Sequence, residues 1–163
     1  MAQNISQNFS IKDSFADLDL GPLNFKRLFD APWLCFSNHP EKLPQSNLSW
    51  RAVKDGKELE GWERSWDERE GNVSRIFTNF LLIDPTIRHW FGYSIDGTKA
   101  GYISNVTGNV IGISNILGSN TECIRHTKVQ FPRYKIVGYE TGYSLKEAKG
   151  LGAEVIGDLT IWI

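Results

Sequence analysis

The sequence contains few of the residues that build a disulfide framework or a membrane segment. It has only two cysteines, Cys35 and Cys123, which lie far apart and each have apolar neighbours. This pattern is typical of reduced thiols in a hydrophobic core rather than of a disulfide-stabilised domain. No uncharged apolar run approaches the ~18 residues of a membrane-spanning helix, and no basic, apolar leader opens the chain. We therefore expect a cytoplasmic protein with no membrane partner.

An excess of charge of one sign is also missing. Lysine and arginine together number 18 and aspartate and glutamate 19, which gives a formal net charge of −1. The basic residues are scattered along the chain instead of forming a cluster. Because nucleic-acid backbones and anionic lipids attract concentrated positive charge, we expect neither as a partner.

The common motifs of metal, hydrolase and nucleotide chemistry are absent from the sequence. The three histidines, His39, His89 and His126, are isolated and show no ligand spacing, so we expect no metal site. No Gly-x-Ser-x-Gly, P-loop or Gly-x-Gly-x-x-Gly pattern occurs. A candidate site must therefore come from the arrangement of strands and helices.

The 163 residues are 40% hydrophobic and 12% aromatic, enough for one ordinary core. Turn-forming residues 43–47 predict a boundary between an N-terminal extension, residues 1–47, that packs on the domain and a main domain, residues 48–163. In the extension, residues 25–29 favour a short helical turn. Residues 33–37 favour either a strand or an aromatic plug over the core.

The first half of the main domain predicts a strand at residues 48–53 and two helices. Asp55 and Glu58 have the spacing of a capping box, so the first helix should begin there. Apolar residues over 73–81 recur at helical spacing and predict the second helix, which Asp84-Pro85 ends.

Three strands of an antiparallel meander follow, at residues 89–95, 99–106 and 110–117. Asp96-Gly97 predicts a hairpin with a type I′ turn between the first two. The third strand is apolar or small on both faces, which predicts helices on both sides of the sheet. Gly112 within it indicates either close packing, which we favour, or close approach of a ligand.

The last third of the chain predicts one more strand at residues 134–140, a helix and a final strand. Ser144 and Glu147 form a second capping box, which places the start of the helix at Ser144. Residues 156–163 should complete the sheet. Residues 123–130 carry no assignment.

This order of elements over residues 48–163 resembles the GNAT acyltransferase superfamily, and residues 151–157, Leu-Gly-Ala-Glu-Val-Ile-Gly, resemble the helix end and last strand of that family. The resemblance implies an α+β fold with a mixed, mainly antiparallel central sheet flanked by helices on both faces. It also implies an acyl-CoA-dependent N-acyltransferase that uses acetyl-CoA or another acyl-CoA, with a small-molecule or peptide amine as acceptor. Fold alone does not establish the reaction.

In the family, two central parallel strands separate, and the coenzyme arm pairs with the freed backbone. The corresponding strands here are residues 111–117 and 136–140. The resemblance implies cofactor contacts at Ile113, Ser114, Asn115, Ile116, Gly118 and Tyr139. Glu140, at the C-terminal end of the strand beside them, is the candidate general base, or else a solvated carboxylate paired with a nearby lysine. Tyr143, about one turn before the position of the family's catalytic tyrosine, is the candidate general acid.

The sequence departs from the family pattern at two places. After Leu117 it has one glycine, no preceding basic residue and the acidic Glu122, where the family has a glycine-rich pyrophosphate loop. Ala148 occupies the position of a family tyrosine. Two alternatives therefore stay open: a non-catalytic module that binds a ligand or peptide in the same place, and a structural protein that self-associates as a homodimer through Phe29, Trp33 and Phe36.

Overall fold

The computed structural model describes residues 10–36, 46–66 and 76–163, and within them one eight-stranded sheet runs through the molecule. Three helices and eight strands follow one another along the described chain: β1 (Ile11–Asp13), β2 (Arg27–Phe36), β3 (Ser49–Ala52), α1 (Gly56–Trp66), β4 (Ile87–Tyr93), β5 (Lys99–Thr107), β6 (Val110–Leu117), α2 (Asn120–Gln130), β7 (Lys135–Tyr139), α3 (Gly142–Gly150) and β8 (Ala153–Trp162). The spatial order of the strands is β1-β8-β2-β7-β6-β5-β4-β3. Only β6 and β7 pair in parallel; all other described pairs are antiparallel. The predicted fold class is confirmed.

Helices cover both faces of the sheet, as the apolar pattern of β6 predicted. On one face, Cys123 and Ile124 of α2 and Ala148 of α3 pack in a buried cluster with Tyr102 and Ile136. On the other face, α1 contributes Leu59 and Trp62 to a second cluster that includes Ile103. We call these the α2–α3 face and the α1 face. β6 is buried on the α2–α3 face through Ile111 and Ile113 and half-buried on the α1 face, which agrees with its apolar or small residues on both faces.

The first helix begins where its capping box predicted. The backbone N–H of Glu58 donates to Asp55 Oδ1 at 2.9 Å, and the Glu58 carboxylate accepts from the N–H of Lys54 at 2.9 Å. Both bonds satisfy donors that have no partner inside the helix. The buried side chains of the helix include Leu59 and Trp62, which are spaced three residues apart.

The second predicted helix, over residues 73–81, is wrong where it can be compared with the structure. Its residues 73–75 lie outside the described residues. Residues 76–78 are not helical and only Asn79–Leu82 form a 3₁₀ turn. The Glu63 carboxylate accepts hydrogen bonds from the N–H groups of Ile76 and Phe77, and Thr78 is extended. A buried carboxylate thus takes the N–H groups that a helix would have used, and tertiary contacts override the apolar spacing.

The hairpin at Asp96-Gly97 is confirmed, but its predicted turn type is wrong. The connection has five residues, closed by a bond from the Ser94 N–H to the Thr98 carbonyl. Gly97 has a φ of 87°, whereas Asp96 has no positive φ. The Asp96 carboxylate instead accepts from the N–H of Thr98 at 3.0 Å, a local bond that aspartate makes readily in turns.

The N-terminal residues contribute two strands to the sheet. The strand predicted around Trp33 is confirmed and is longer, since β2 lies between β7 and β8 and pairs with both. The helical turn predicted over residues 25–29 is wrong, because β2 begins at Arg27 and the only nearby turn is a 3₁₀ turn at Gly21–Leu23. A domain boundary near residue 48 stays a prediction.

Two further differences concern the helices near the end of the chain. Residues 123–130, left unassigned, belong to α2, which the side chain of Ser119 caps by accepting from the Glu122 N–H at 3.4 Å. The Ser-x-x-Glu spacing was present in the sequence and would have predicted this start. The start of α3 at Ser144 is wrong, because Gly142 is its first residue. No helix within the described residues is long and apolar enough to cross a membrane.

Candidate functional site

The parallel pairing of β6 with β7 ends before either strand ends. Its register joins Val110 to Lys135 and Gly112 to Val137, yet β6 continues to Leu117. The Lys135 N–H donates to the Asn109 carbonyl at 3.0 Å, so alternate residues of β7 direct their backbone groups toward β6. The next bond of this series would run from the N–H of Tyr139 to the carbonyl of Ile113, and the register stops before it. We call the space between residues 113–117 and 138–140 the β6–β7 gap.

A β-bulge in β6 lies just beyond the end of the β6–β7 register. Gly101 of β5 pairs with Leu117 and Ile103 pairs with Ser114, so Asn115 and Ile116 together lie opposite a single residue of β5. Asn115 has a φ of 51°, a conformation that asparagine adopts more easily than most residues. Bulges bend a strand and increase its twist. The bulge therefore changes the course of β6 just beyond the point where its pairing with β7 ends.

Gly138 lies at the point where the two strands begin to separate. A Cβ at Gly138 would lie 3.1 Å from Ile113 Cγ1 and 3.3 Å from the Ile113 carbonyl oxygen. A Cβ at Gly112 would meet only the Asn105 carbonyl, at 3.7 Å, an ordinary contact. The favoured interpretation of Gly112, that close packing requires a glycine there, is therefore wrong. Close packing applies instead at Gly138.

Glu140 follows β7 directly, and its acidity is altered. Burial, and secondarily the negative charge of Glu147, raises the pKa of Glu140 to about 7. Glu147 itself lies on α3 and accepts a hydrogen bond from Thr121 Oγ1 of α2 at 3.1 Å. A carboxylic acid with this pKa is present in both protonation states at neutral pH, as proton transfer requires.

The N-terminus of α2 lies at the end of β6. Gly118 has a φ of 71°, and a Cβ there would lie 2.4 Å from the Lys99 carbonyl oxygen, so the backbone geometry alone requires a glycine. The Glu122 carboxylate forms an ion pair with Arg125 and accepts from Ser46 Oγ. The negative charge expected to repel an anion here is therefore partly compensated.

Cys123 lies in the same region but is a structural residue. It is fully buried, its Sγ lies 3.4 Å from the Gly101 carbonyl oxygen, and burial raises the pKa of its thiol well above the ordinary value. A buried thiol that stays protonated is a poor nucleophile. The prediction of a reduced core cysteine at this position fits these contacts.

Tyr139 occupies the opposite face of the sheet from Glu140. Its ring makes an edge contact with Trp33, with centroids 5.7 Å apart, and Lys12 Nζ lies 4.7 Å from the Tyr139 centroid and 5.3 Å from that of Trp33. Burial raises the pKa of Tyr139 and lowers that of Lys12. The β6–β7 gap is thus bordered by acidic groups on the α2–α3 face and by an amine with two aromatic rings on the α1 face.

The predicted site residues divide into two groups. The structure brings seven of them to the gap or its mouth: Ile113, Ser114, Asn115, Ile116, Gly118, Tyr139 and Glu140. Tyr143 is separate, with 82% of its side chain exposed on the first turn of α3. Ala148, at the family's tyrosine position, is completely buried in the core. The roles of all these residues stay predictions.

The sequence reasoning missed Lys12, Thr121 and Glu147 as neighbours of the site. The capping spacing at Ser119 would have predicted α2 and hence the position of Thr121. No sequence signal indicated that Lys12, 127 positions before Tyr139, would reach it. Among the described residues, no group of three or more histidine, cysteine, aspartate or glutamate side chains could hold a metal ion.

Comparison with solved structures agrees with this geometry. A crystal structure of a functionally unknown conserved protein from Staphylococcus epidermidis ATCC 12228 superposes with a TM-score of 0.68 at 9% identity, over 94% of this chain and 71% of that chain. A GCN5-related N-acetyltransferase from Kribbella flavida superposes with a TM-score of 0.54 at 10% identity, over 85% of this chain and 59% of that one. The fold is GNAT-like. At these identities the likeness concerns the fold alone, and no protein-family model and no curated protein matches the sequence.

Proposed function

We propose that the β6–β7 gap binds the amide-bearing arm of an acyl-CoA and that the protein transfers the acyl group to an amine. The interrupted ladder carries this proposal. The β6–β7 register ends at Gly112 and Val137, before the N–H of Tyr139 and the carbonyl of Ile113, and backbone groups left outside a ladder can pair with an extended ligand. The GNAT-like fold of the Kribbella flavida acetyltransferase supports the same ligand class.

The residues around the gap fit the amide-bearing arm of acyl-CoA better than its phosphates. The backbone at Ile113, Asn115 and Tyr139 would hold the amides of the arm, and the N-terminus of α2 would face the phosphates. The region lacks the run of glycines that gives a phosphate loop its free N–H groups, and Glu122 remains in the first turn of α2. We therefore expect weak coenzyme binding. Acyl-CoA, when bound, supplies the reactive thioester.

Glu140 is the general base in this proposal. With a pKa of about 7 it is part carboxylate at neutral pH, and it would accept a proton from the attacking amine or from a water next to it. Glu147 increases the tendency of Glu140 to take up that proton, because two nearby carboxylates repel each other when both are charged. The Thr121 hydroxyl donates to Glu147 and fixes its side chain.

A non-catalytic ligand-binding module is the second candidate. The departures at Gly118 and Glu122 and the buried Ala148 favour it, since they remove a phosphate loop and a proton donor. Such a module would bind a peptide or a small amide-bearing ligand in the same gap. Of the residues predicted for self-association, Phe36 is buried in the core, and a homodimer stays a prediction.

A pair of measurements separates the two candidates. Thermal unfolding is followed with increasing coenzyme A, which should raise the melting temperature because a ligand that binds only the folded state adds RT ln(1 + [L]/Kd) to its stability. Release of coenzyme A thiol from acetyl-CoA is then measured with a panel of primary amines. Both signals together support the transferase. A shift without thiol release supports a non-catalytic site that still binds the coenzyme. No shift at millimolar coenzyme A contradicts the transferase and favours the module that binds a peptide or another amide-bearing ligand.

A further inference from the structure

The N-terminal strand places an amine next to the β6–β7 gap. Lys12 belongs to β1, which pairs with β8 through Lys12 and Ile161. Its side chain crosses to Trp33 and Tyr139, where Nζ lies 5.3 Å and 4.7 Å from the ring centroids. Tyr139 is the residue whose N–H would have formed the next bond to β6. The amine therefore lies against the ring of a residue whose backbone borders the gap.

The segment that carries Lys12 is held in place by its own contacts. Asp13 is buried, and its carboxylate accepts from the N–H groups of Phe15 at 3.3 Å and Leu18 at 3.0 Å. The carbonyl of the next residue, Ser14, accepts a hydrogen bond of 2.9 Å from Trp33 Nε1. These bonds fix the chain directly after Lys12 and tie it to Trp33. Holding a reacting group in place is a large part of its effective concentration.

The chemical state of Lys12 also suits a nucleophile. Within the part of the chain that the structure describes, the ammonium group of Lys12 has no carboxylate partner. Lys12 is exposed to solvent, but partial burial of its amine lowers its pKa from the ordinary lysine value, which increases the fraction of neutral amine at a given pH. Only the neutral amine has the electron pair that attacks a carbonyl carbon.

A gap in a sheet opens to both faces, so donor and acceptor can approach from opposite sides. Glu140 and the N-terminus of α2 border the gap on the α2–α3 face. Tyr139 lies on the α1 face. Residues that pair across neighbouring strands share a face, and Val137 pairs with Gly112, which pairs with Asn105. Residues two apart in one strand also share a face, so Tyr139 lies on the side of Val137, and Asn105 on the side of Ile103 in the α1 cluster. Lys12 thus lies on the side opposite to the donor's phosphates.

We propose that Lys12 is an acyl acceptor in cis, so that the protein acylates its own N-terminal strand with an acyl thioester bound in the β6–β7 gap. This inference rests on the proposed function. The Lys12 nitrogen forms an amide bond with the acyl carbon, the carbon–sulfur bond breaks, and its electron pair leaves with the sulfur. The nitrogen loses one proton to water, and the thiolate takes up one proton, so that the products are an amide and a thiol.

The first test measures modification of the full chain. The protein is incubated with acetyl-CoA, digested, and the acetylated fraction of each lysine is followed by mass spectrometry. Lys26, which is exposed and belongs to the same N-terminal region, is the internal control for uncatalysed acetylation. We expect Lys12 to be acetylated at least about tenfold faster than Lys26, at a rate constant that does not depend on protein concentration. Equal rates at the two lysines, or a rate constant proportional to protein concentration, would overturn the inference.

The second test needs no acyl transfer. An amine-reactive acylating reagent labels the protein with and without coenzyme A, and we expect coenzyme A to slow labelling of Lys12 and leave Lys26 unchanged. Lys12→Arg should abolish acetylation at this position and retain the coenzyme-induced rise in melting temperature, whereas Lys26→Arg should change neither. If coenzyme A raises the melting temperature and thiol is released with added amines, but Lys12 is neither protected nor acetylated, the proposed function stands and the inference is wrong. If coenzyme A changes neither the melting temperature nor the labelling of Lys12, the proposed function and the inference are both wrong.

Discussion

Gly138 of β7 lies against Ile113 of β6 so closely that a methyl group at Gly138 would meet the Ile113 side chain at 3.1 Å and its carbonyl oxygen at 3.3 Å. This contact is the last close approach of the two strands before they separate. The absence of a side chain at one position therefore determines how the β6–β7 gap begins.

Gly138→Ala should disturb the gap and the fold together. The added Cβ has to move Ile113, and an extra methyl group in a packed region typically costs about 1–3 kcal/mol. We expect a loss of this size in the free energy of unfolding, measured by urea denaturation, and weaker binding of coenzyme A.

Gly157→Ala is the matched control. It lies on β8 of the same sheet, where a Cβ would meet only Trp33 Cδ1 at 3.9 Å. We expect a change within about 0.5 kcal/mol. Equal losses in the two variants would show that the contact between Gly138 and Ile113 has no special importance.

Glu140→Gln should remove the general base and leave ligand binding in place. We expect acyl transfer to fall by about 10²–10⁴-fold, the range typical for loss of a general base, without a change in the coenzyme-induced melting shift. The kinetic measurement is thiol release at saturating amine. Glu154→Gln, at an exposed position of β8, is the control and should keep full activity.

The pH dependence of transfer follows from the acidity of Glu140. Its pKa of about 7 means that the active carboxylate form increases as pH rises through 7, so kcat should rise with a midpoint near that value. The folded pKa lies above the ordinary value of 4.5, so the folded state binds more protons between pH 4.5 and 7. The free energy of unfolding contributed by Glu140 is therefore lost as pH rises through this window. A transfer rate that is flat between pH 5.5 and 8 would contradict the assigned role.

Two buried histidines should make the protein sensitive to acid. Burial lowers the pKa of His89 and of His126 to about 4. The unfolded chain therefore binds more protons between pH 6.5 and 4, and stability falls as pH falls through that range. His89 has no hydrogen-bond partner on either ring nitrogen among the described residues, whereas His126 Nδ1 lies 2.9 Å from the Tyr102 hydroxyl.

Replacement of each histidine by phenylalanine separates these effects. His89→Phe removes a buried polar ring without a partner, and we expect a gain of about 1 kcal/mol and a shallower loss of stability in acid. His126→Phe also removes a titrating group but breaks the bond to Tyr102, so we expect a loss of about 1 kcal/mol at pH 7. The measurement is denaturant unfolding at pH 7 and pH 5. A destabilised His89→Phe variant would contradict this description of the core.

Sequence periodicity predicted most of the sheet, because strands such as β6 and turns such as Asp96-Gly97 are determined by local residues. It failed where distant groups decide the conformation. Residues 76–78 are not helical because the carboxylate of Glu63 takes their N–H groups. The bulge at Asn115 depends on the pairing of β6 with β5, and a single sequence gives no sign of it.

The same distinction applies to the site. The family resemblance located β6, β7 and Glu140 because they follow one another in a recognisable order. Lys12 reaches Tyr139 only because β1 pairs with β8 and the side chain of Trp33 bonds to Ser14. Contacts between segments this far apart in the chain have no local signature, so the amine beside the gap is visible only in the folded protein.

Amide hydrogen exchange at Tyr139, followed by NMR with and without coenzyme A, tests the central claim most directly. The N–H of Val137, inside the β6–β7 ladder, serves as the protected reference. We expect Tyr139 to exchange much faster than Val137 in the free protein and to slow when coenzyme A is added. Protection of Tyr139 equal to that of Val137 without ligand, or exchange that coenzyme A leaves unchanged, would contradict a ligand-binding gap between these strands.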